Sequence, residues 1–140
     1  MSGSRGADEE RRTAEGAHRF EFLPEVQEDA NRLDQDLRLA VADLIVSLHE
    51  NPWIGELMDD RWPENLEGSR KVRFDKAGWE GKPRYRLVYR NEPSDGAVGT
   101  MLVLAIERRQ NMIAYARASS RLAKREAAKR RPGRKDSPRR

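Results

Sequence analysis

The chain has no cysteine among its 140 residues. This absence excludes disulfide bonds, thiolate nucleophiles and cysteine-based zinc sites, and it suits a reducing compartment. Histidine is nearly as scarce, since His18 and His49 are the two copies. Both lie outside the basic segments of the chain, so we expect neither to be catalytic.

Long apolar runs are also missing. No stretch approaches the roughly 18 apolar residues that a membrane-spanning helix requires, and no secretory signal follows Met1. Hydrophobic residues make up 36% of the chain and charged residues 37%, which predicts one modest core with polar ends. We therefore expect a cytoplasmic protein without membrane association.

The net charge of +4 conceals a strong separation of charge along the chain. Residues 117–140 contain eleven Lys and Arg against two acidic residues, whereas residues 24–68 contain twelve acidic residues against three Arg. This division predicts either two functional surfaces or one functional surface whose charge is balanced by a second surface of opposite charge. An acidic face that is simply solvated remains an equal alternative.

The first part of the chain alternates as a short strand at residues 19–23 and then becomes helical. Pro24 suits a first helical turn, and apolar residues recur at helical spacing as far as Leu48. Asp34 is a candidate N-cap. A hairpin of two helices is our preferred interpretation, with one long helix as the alternative, and Asn51-Pro52 ends either one.

Three strands and a helix follow. The strands are predicted at Arg70–Phe74, Arg84–Arg90 and residues 98–106, with a turn at 91–96 and a helix starting near Met112. This order predicts one domain over residues 18–122. We expect residues 1–17 to be a disordered extension and residues 123–140 a disordered polybasic tail.

The segment Arg84-Tyr-Arg-Leu-Val-Tyr-Arg90 alternates arginines with aromatic and apolar residues. Burying an unpaired guanidinium is costly, so the arginine face is either solvated or holds an anion. In an antiparallel meander, other basic residues and one phenol would share that face. They are Lys71, Arg73, Arg109 and Tyr115. Such a set suits a phosphodiester, and ion pairing with nearby carboxylates is the structural alternative.

The order and spacing of several motifs resemble the RelE/ParE superfamily, the toxins of bacterial type II toxin–antitoxin modules. The resemblance runs from Phe20 to Leu122 and rests on Leu48-His-Glu-Asn-Pro52, Leu66-Glu-Gly68, Arg70-Lys-Val-Arg73, Tyr85-Arg-Leu-Val-Tyr89 and Ile106-Glu-Arg-Arg109. It implies an α+β fold with the order β-α-α-β-β-β-α. In this fold a small, mostly antiparallel sheet has a helical hairpin packed on one face.

The resemblance also implies an activity, because RelE-like toxins cut messenger RNA in the ribosomal A site without metal or cofactor. Carried over by motif, the catalytic residues would be Lys71, Arg73, Arg86, Arg109 and Tyr115. The expected RNA-binding residues are Arg70, Arg84, Arg90, Arg108, Lys124 and Arg125. Expected partners are a cognate antitoxin, mRNA on the ribosome and, through the basic tail, ribosomal RNA.

Two alternatives to the endoribonuclease remain open. Relatives of the ParE type inhibit DNA gyrase on the same fold, and a non-toxic protein of this fold would use its tail to bind nucleic acid. Gyrase inhibitors generally do not keep the whole catalytic set, so its presence here favours the ribonuclease.

Attack by the ribose 2′-hydroxyl needs a general base, and arginine is excluded because its pKa exceeds about 12. Free Tyr and Lys have pKa values of about 10 and 10.4, which neighbouring cations would lower. Lys71 and Tyr115 are therefore both candidates. We interpret Trp79 as packing in its loop in preference to stacking on RNA, and Trp53 and Trp62 as covering the helical hairpin. Glu107 is expected to pair with Arg108.

Overall fold

The computed structural model describes residues 19–59 and 61–130. The expected N-terminal extension, His18 and the last ten residues of the tail lie outside the described residues. The elements are β1 (Arg19–Phe22), α1 (Pro24–Asn31), α2 (Gln35–Glu50), β2 (Glu56–Leu57), β3 (Arg70–Phe74), β4 (Tyr85–Ser94), β5 (Ala97–Arg108) and α3 (Ile113–Lys129). Short 3₁₀ turns occupy Glu64–Leu66 and Gln110–Met112.

The five strands form one sheet in the order β1-β5-β4-β3-β2. β1 is parallel to β5, and every other neighbouring pair is antiparallel. β5 lies between β1 and β4, and its residues 101–106 are all buried, as expected for a strand that is apolar on both faces. The predicted α+β architecture with a mostly antiparallel sheet is confirmed.

The β4–β5 hairpin is longer than predicted. Residues 91–94, expected in the turn, continue β4, and the turn itself is reduced to Asp95 and Gly96. The Asn91 amide explains part of this extension, because Nδ2 donates to Pro52 O at 3.0 Å and to Asp95 Oδ1 at 2.8 Å. A polar residue that reads as a turn former in the sequence thus stabilises the end of a strand.

The helical hairpin forms as preferred, and the alternative of one long helix is wrong. α1 ends at Asn31, and the carboxylate of Asp34 accepts a hydrogen bond from Leu37 N at 3.0 Å to cap α2. Such a cap satisfies a main-chain donor at the start of a helix. Val26, Leu33 and Leu37 are buried in the core beneath the hairpin.

The sheet is covered on both faces. Phe74 of β3 shares a cleft with Leu39 and Leu44 of α2, so the hairpin covers the face that also carries Tyr85. α3 covers the opposite face, where its Arg125 binds Glu92 of β4 at 3.2 Å. Because side chains alternate along a strand, the arginines at even positions of β4 lie on the α3 side.

α3 extends beyond residue 122, the predicted end of the domain. Residues 123–129, expected at the start of the disordered tail, are helical. Lys, Arg, Glu and Ala dominate this segment and have favourable helix propensities. Its Arg125 also binds the sheet, so tertiary contact reinforces the propensity.

A buried carboxylate joins α1 to β5 and α3. β1 stops pairing at Leu23, whose N–H donates to Val103 O, so Ile106 N lies beyond the end of β1. Asp29 Oδ2 accepts from Ile106 N at 3.0 Å and from Arg121 Nη1 at 2.7 Å. Burial raises the pKa of Asp29, but the hydrogen bonds from Arg121 and Ile106 outweigh it and hold the pKa below its ordinary value.

The connection between β2 and the helical hairpin is anchored to β4. The hydroxyl of Tyr89 donates to Pro52 O at 2.6 Å and accepts from Gly55 N at 3.1 Å. Burial raises the pKa of Tyr89 to about 12. A side chain at Gly55 would approach the Tyr89 ring to 2.9 Å, so glycine permits this close contact.

Candidate active site

Four cations converge on one cleft of about 360 Å³. Its lining consists of Arg73 from β3, Lys82 and Pro83 from the loop before β4, Arg86 from β4, and Arg109 after β5. Within residues 19–59 and 61–130, no carboxylate belongs to this lining. A concave surface lined by positive charges focuses a positive potential and favours an anionic ligand. We call this feature the arginine cleft.

The sheet register assembles the arginine cleft. Arg73 and Arg86 are opposite each other in the β3–β4 pairing. Arg109 N donates to Arg84 O at 2.9 Å, which extends the β4–β5 ladder and brings Arg109 beside the start of β4. Among residues 19–59 and 61–130, no ion pair involves the side chains of Arg73 or Arg109.

Arg86 is the most constrained cation of the arginine cleft. It is only 8% exposed, and its Nη1 donates to Pro83 O at 3.0 Å and Tyr85 O at 2.8 Å. Its Nε is buried without a hydrogen-bond partner in the described part of the chain. An unsatisfied buried donor costs about 1–3 kcal/mol, more when it is charged. Main-chain carbonyls therefore fix a guanidinium that retains unused donor capacity.

Lys71 and Tyr115 form a second group, on the same side of the sheet but outside the lining of the arginine cleft. Trp62 separates them: Lys71 Nζ lies 4.8 Å from the indole ring, and the Tyr115 ring centroid lies 4.6 Å away. Both residues are buried, at 9% and 3% exposure. The expectation that Trp62 covers the helical hairpin is wrong, because the loop after β2 carries it across to α3.

Lys71 also forms an ion pair with the exposed side chain of Glu56 on β2, at 3.2 Å. The hydrogen bond from Lys71 and its positive charge hold the pKa of Glu56 below its ordinary value. β2 was not predicted, because two residues are too few for a pattern. Its pairing with β3 places this carboxylate beside Lys71.

The five predicted catalytic residues thus divide into two groups. Arg73, Arg86 and Arg109 line the arginine cleft, and Lys71 and Tyr115 meet at Trp62. Sequence reasoning missed Lys82, which lies in the connection between β3 and β4. The only signal available was its basic charge directly before Pro83 and β4, and its approach to the cleft depends on the path of the loop.

Two of the predicted RNA-binding arginines have structural partners. Arg70 binds Asp95 at 2.7 and 2.9 Å and Gly55 O at 2.6 Å. Arg84 binds both carboxylate oxygens of Asp75 at 2.9 Å. The hydrogen bonds from Arg84 hold the pKa of Asp75 well below its ordinary value, and those from Arg70 lower the pKa of Asp95. These carboxylates already satisfy the two guanidinium groups.

The other predicted RNA-binding residues vary in their engagement. Arg125 binds Glu92, and the exposed Lys124 lies 3.7 Å from a carboxylate oxygen of Glu25. Arg90 donates to Asn65 O at 3.4 Å. Arg108 is exposed, with its guanidinium 5.4 Å from the Tyr85 ring. These contacts have no local sequence signal because each joins two different elements.

Glu107 does not pair with Arg108 as predicted. Its carboxylate accepts from Arg32 Nη2 at 2.6 Å and from Arg117 Nη1. Neighbouring residues on a strand point to opposite faces, so Glu107 and Arg108 cannot meet. Glu107 lies opposite Arg86 in the sheet, and its two arginine partners draw it towards α1 and α3.

In the ranges 19–59 and 61–130, no group of three or more His, Asp or Glu residues is arranged to hold a metal ion. In the same ranges, none of the helices combines the length and apolar character needed to cross a membrane.

Comparison with known proteins identifies the fold. A variant of the E. coli toxin RelE in the free state, with two arginines replaced by alanine, matches with a TM-score of 0.53 at 19% identity; the match covers 76% of this chain and 98% of that chain. The intact E. coli RelBE toxin–antitoxin complex has a TM-score of 0.48 at 19% identity, covering 68% of this chain and 100% of that chain. No protein-family model and no curated protein sequence matches. The RelE-like fold is thus confirmed.

Proposed function

We propose that this chain is the toxin of a type II toxin–antitoxin pair and cleaves messenger RNA on the ribosome without a metal ion. The arginine cleft is the observation that carries the proposal. It gathers Arg73, Lys82, Arg86 and Arg109, and no carboxylate from the described part of the chain lines it. The RelE-like fold supports the same activity, because toxins of that fold include ribosome-dependent nucleases.

The proposed cleavage requires a base, a proton donor and cations that bind the phosphate. The 2′-oxygen of a ribose forms a bond to the adjacent phosphorus, and the bond from phosphorus to the 5′-oxygen of the next nucleotide breaks. A base takes the 2′-hydroxyl proton, and the departing 5′-oxygen gains one from an acid or solvent. The products are a 2′,3′-cyclic phosphate and a 5′-hydroxyl. Arg73, Arg86 and Arg109 bind the phosphate oxygens and stabilise the extra negative charge of the transition state.

Lys71 is better suited than Tyr115 to reach the substrate. Its partner Glu56 has a side chain that is 54% exposed and free to turn into solvent, although Lys71 itself is 9% exposed. Lys71 can therefore exchange that carboxylate for an RNA phosphate at little cost. Moving Tyr115 requires loss of its packing against Trp62, since the ring is 3% exposed. We assign Lys71 to the reaction and Tyr115 to packing.

A cognate antitoxin is the proposed partner. The E. coli RelBE structure contains both the toxin and its antitoxin. For this chain, the charge of the arginine cleft calls for an acidic antitoxin segment that covers it. Binding there would exclude RNA phosphate by direct competition, which gives neutralisation without a change in the toxin fold.

The proposal is tested by controlled expression followed by primer extension on a reporter mRNA. We expect growth arrest and new 5′ ends within codons. Replacement Arg86→Gln should lower cleavage by about 100-fold or more, as loss of a transition-state donor does. Arg38→Gln is the matched control, because Arg38 lies on the exposed side of α2. Growth arrest with intact transcripts would refute the nuclease.

One observation favours a second candidate function. Neither candidate base lines the arginine cleft, so the cations of the lining account by themselves for anion binding and not for proton transfer. A gyrase inhibitor of the ParE type would fit this arrangement. Inhibition of purified gyrase in a supercoiling assay, with reporter mRNA intact, would support that function.

A further inference from the structure

We propose that Trp79 is a stacking platform for a nucleobase of single-stranded RNA whose phosphate occupies the arginine cleft. The inference rests on the proposed function, because it assumes RNA in that cleft. It assigns the loop before β4 a role in selecting or orienting the nucleotide next to the bound phosphate.

The indole of Trp79 is held next to the arginine cleft. Its Nε1 donates to Lys82 O at 3.2 Å, and Lys82 is one of the cleft residues. The guanidinium of Arg84 lies 3.6 Å from the ring centroid. This cation–π contact and the Nε1 hydrogen bond fix both the plane and the edge of the ring.

Arg84 is itself immobilised, so the platform is formed before RNA arrives. Asp75 accepts from Arg84 N, Nε and Nη2, each at 2.9 Å, and its side chain is 4% exposed. A stacking surface that is already ordered loses little entropy when a base binds. The loop therefore presents a rigid indole, although its sequence is rich in turn-forming residues.

Packing in the loop does not account for the whole ring. Trp79 remains 37% exposed, and Arg84 and Lys76, whose Nζ is 5.9 Å from the ring centroid, are its charged neighbours. An indole in the core would instead be enclosed by apolar side chains. An aromatic ring beside a cationic groove is the arrangement with which proteins hold single-stranded RNA.

The test measures binding of a short single-stranded RNA with a 2′-O-methyl group at every position, which blocks the attacking oxygen and prevents cleavage. We compare the intact chain with Trp79→Ala by fluorescence anisotropy at low salt. Loss of one stacked base by alanine substitution should weaken binding by about 5- to 150-fold. Trp79→Phe should retain most of the affinity because a phenyl ring also stacks.

Trp53→Ala is the matched control. Trp53 is 47% exposed, and its Nε1 also donates to a main-chain carbonyl, Asp95 O at 2.7 Å. It lies outside the arginine cleft lining, so its replacement should leave affinity unchanged. Circular dichroism and thermal unfolding of each variant show whether the fold is retained.

Abasic substitutions identify the contact. Single abasic sites are introduced at each position of the oligonucleotide in turn. At one position the abasic site should weaken binding by the intact chain but should not further weaken binding by Trp79→Ala. Equal affinities of the intact chain and Trp79→Ala would overturn the proposal, as would an equal loss at every abasic position or no binding by the intact chain. Arg86-dependent mRNA cleavage with unaltered Trp79→Ala affinity would sink this inference alone. Base-dependent stacking without cleavage would sink the nuclease alone.

Discussion

Arg73 and Arg86 lie directly opposite each other on β3 and β4, and both line the arginine cleft. Like charges at opposed positions of a sheet destabilise it, by about 0.2–1 kcal/mol. Glu107 lies opposite Arg86 on β5, but its carboxylate is bound by Arg32 and Arg117, and no carboxylate among the described residues lines the cleft itself. The pairing therefore costs stability in the free protein and provides binding energy for an anion.

Replacement of Arg73 should separate stability from binding. We expect Arg73→Gln to raise the free energy of unfolding in urea by up to about 1 kcal/mol, because the repulsion is lost. The same variant should bind the uncleavable RNA more weakly. Arg38→Gln serves as the control for a general loss of positive charge. A variant that is less stable and binds normally would contradict this account of the cleft.

Lys71 and Tyr115 should respond differently to removal of their polar groups. Lys71→Met should lower cleavage by about 10²- to 10⁴-fold, the range for a missing acid–base group. Tyr115→Phe keeps the ring against Trp62, so its rate should stay within about tenfold of the intact chain. Single-turnover cleavage on programmed ribosomes is the measurement. The opposite order of effects would assign the reaction to Tyr115.

The buried pair of Asp29 and Arg121 should dominate the stability of the α1–α3 contact. Asp29 has a side chain that is 0% exposed and lies 2.7 Å from Arg121. Breaking such a pair leaves a buried charge, so Asp29→Asn should lower the free energy of unfolding by about 3–5 kcal/mol. Asp36→Asn, at an exposed position of α2, is the control. The free energy of unfolding of both variants is measured in urea. Equal decreases in the two variants would contradict a dominant role for the buried pair.

Stability should fall in acid because several carboxylates have lowered pKa values. Those of Asp29, Asp75 and Asp95 lie below the ordinary value in the folded state. Such groups bind more protons in the unfolded state. Their contribution is complete above the unfolded pKa of about 3.9 and is lost as the pH falls through the folded pKa values.

Thermal unfolding between pH 2 and 7 tests this dependence. We expect a plateau above about pH 5 and a steep decline below pH 4. Asp75→Asn should flatten the acid limb, because one titrating group is removed. An unchanged limb in that variant would show that Asp75 contributes nothing to it.

The cap at Asp34 should be worth a measurable part of the stability of α2. Its carboxylate accepts from Leu37 N at 3.0 Å, and replacement of an N-cap by alanine costs about 0.5–2 kcal/mol. We therefore expect Asp34→Ala to lower the urea midpoint, whereas Asp34→Ser, which can also cap, should have little effect. Equal urea midpoints for the two variants would show that the side-chain cap at residue 34 does not contribute to stability.

Much of the fold was predictable because its signals are local. The break between α1 and α2 rests on Asp34, and β5 rests on an apolar run of the kind typical of a strand that is buried on both faces. The predicted turn at residues 91–96 was too long, because Asn91 donates to Pro52 O, 39 residues earlier in the chain, and that contact has no local signal. The same is true of the helical end of α3, where Arg125 binds β4.

The sequence alone determined the residue types, the order of the elements and the period-2 alternation that places Lys71, Arg73 and Arg86 on one face of the sheet. Tertiary structure decided which cations of the chain are already paired. Arg84 binds Asp75 and Arg70 binds Asp95. In contrast, the arginine cleft is lined by four cations, and no described carboxylate lies among them: Arg73, Lys82, Arg86 and Arg109. Pairing depends on distances between segments far apart in sequence. For that reason periodicity placed the cations on a face but did not separate the cleft from the structural ion pairs.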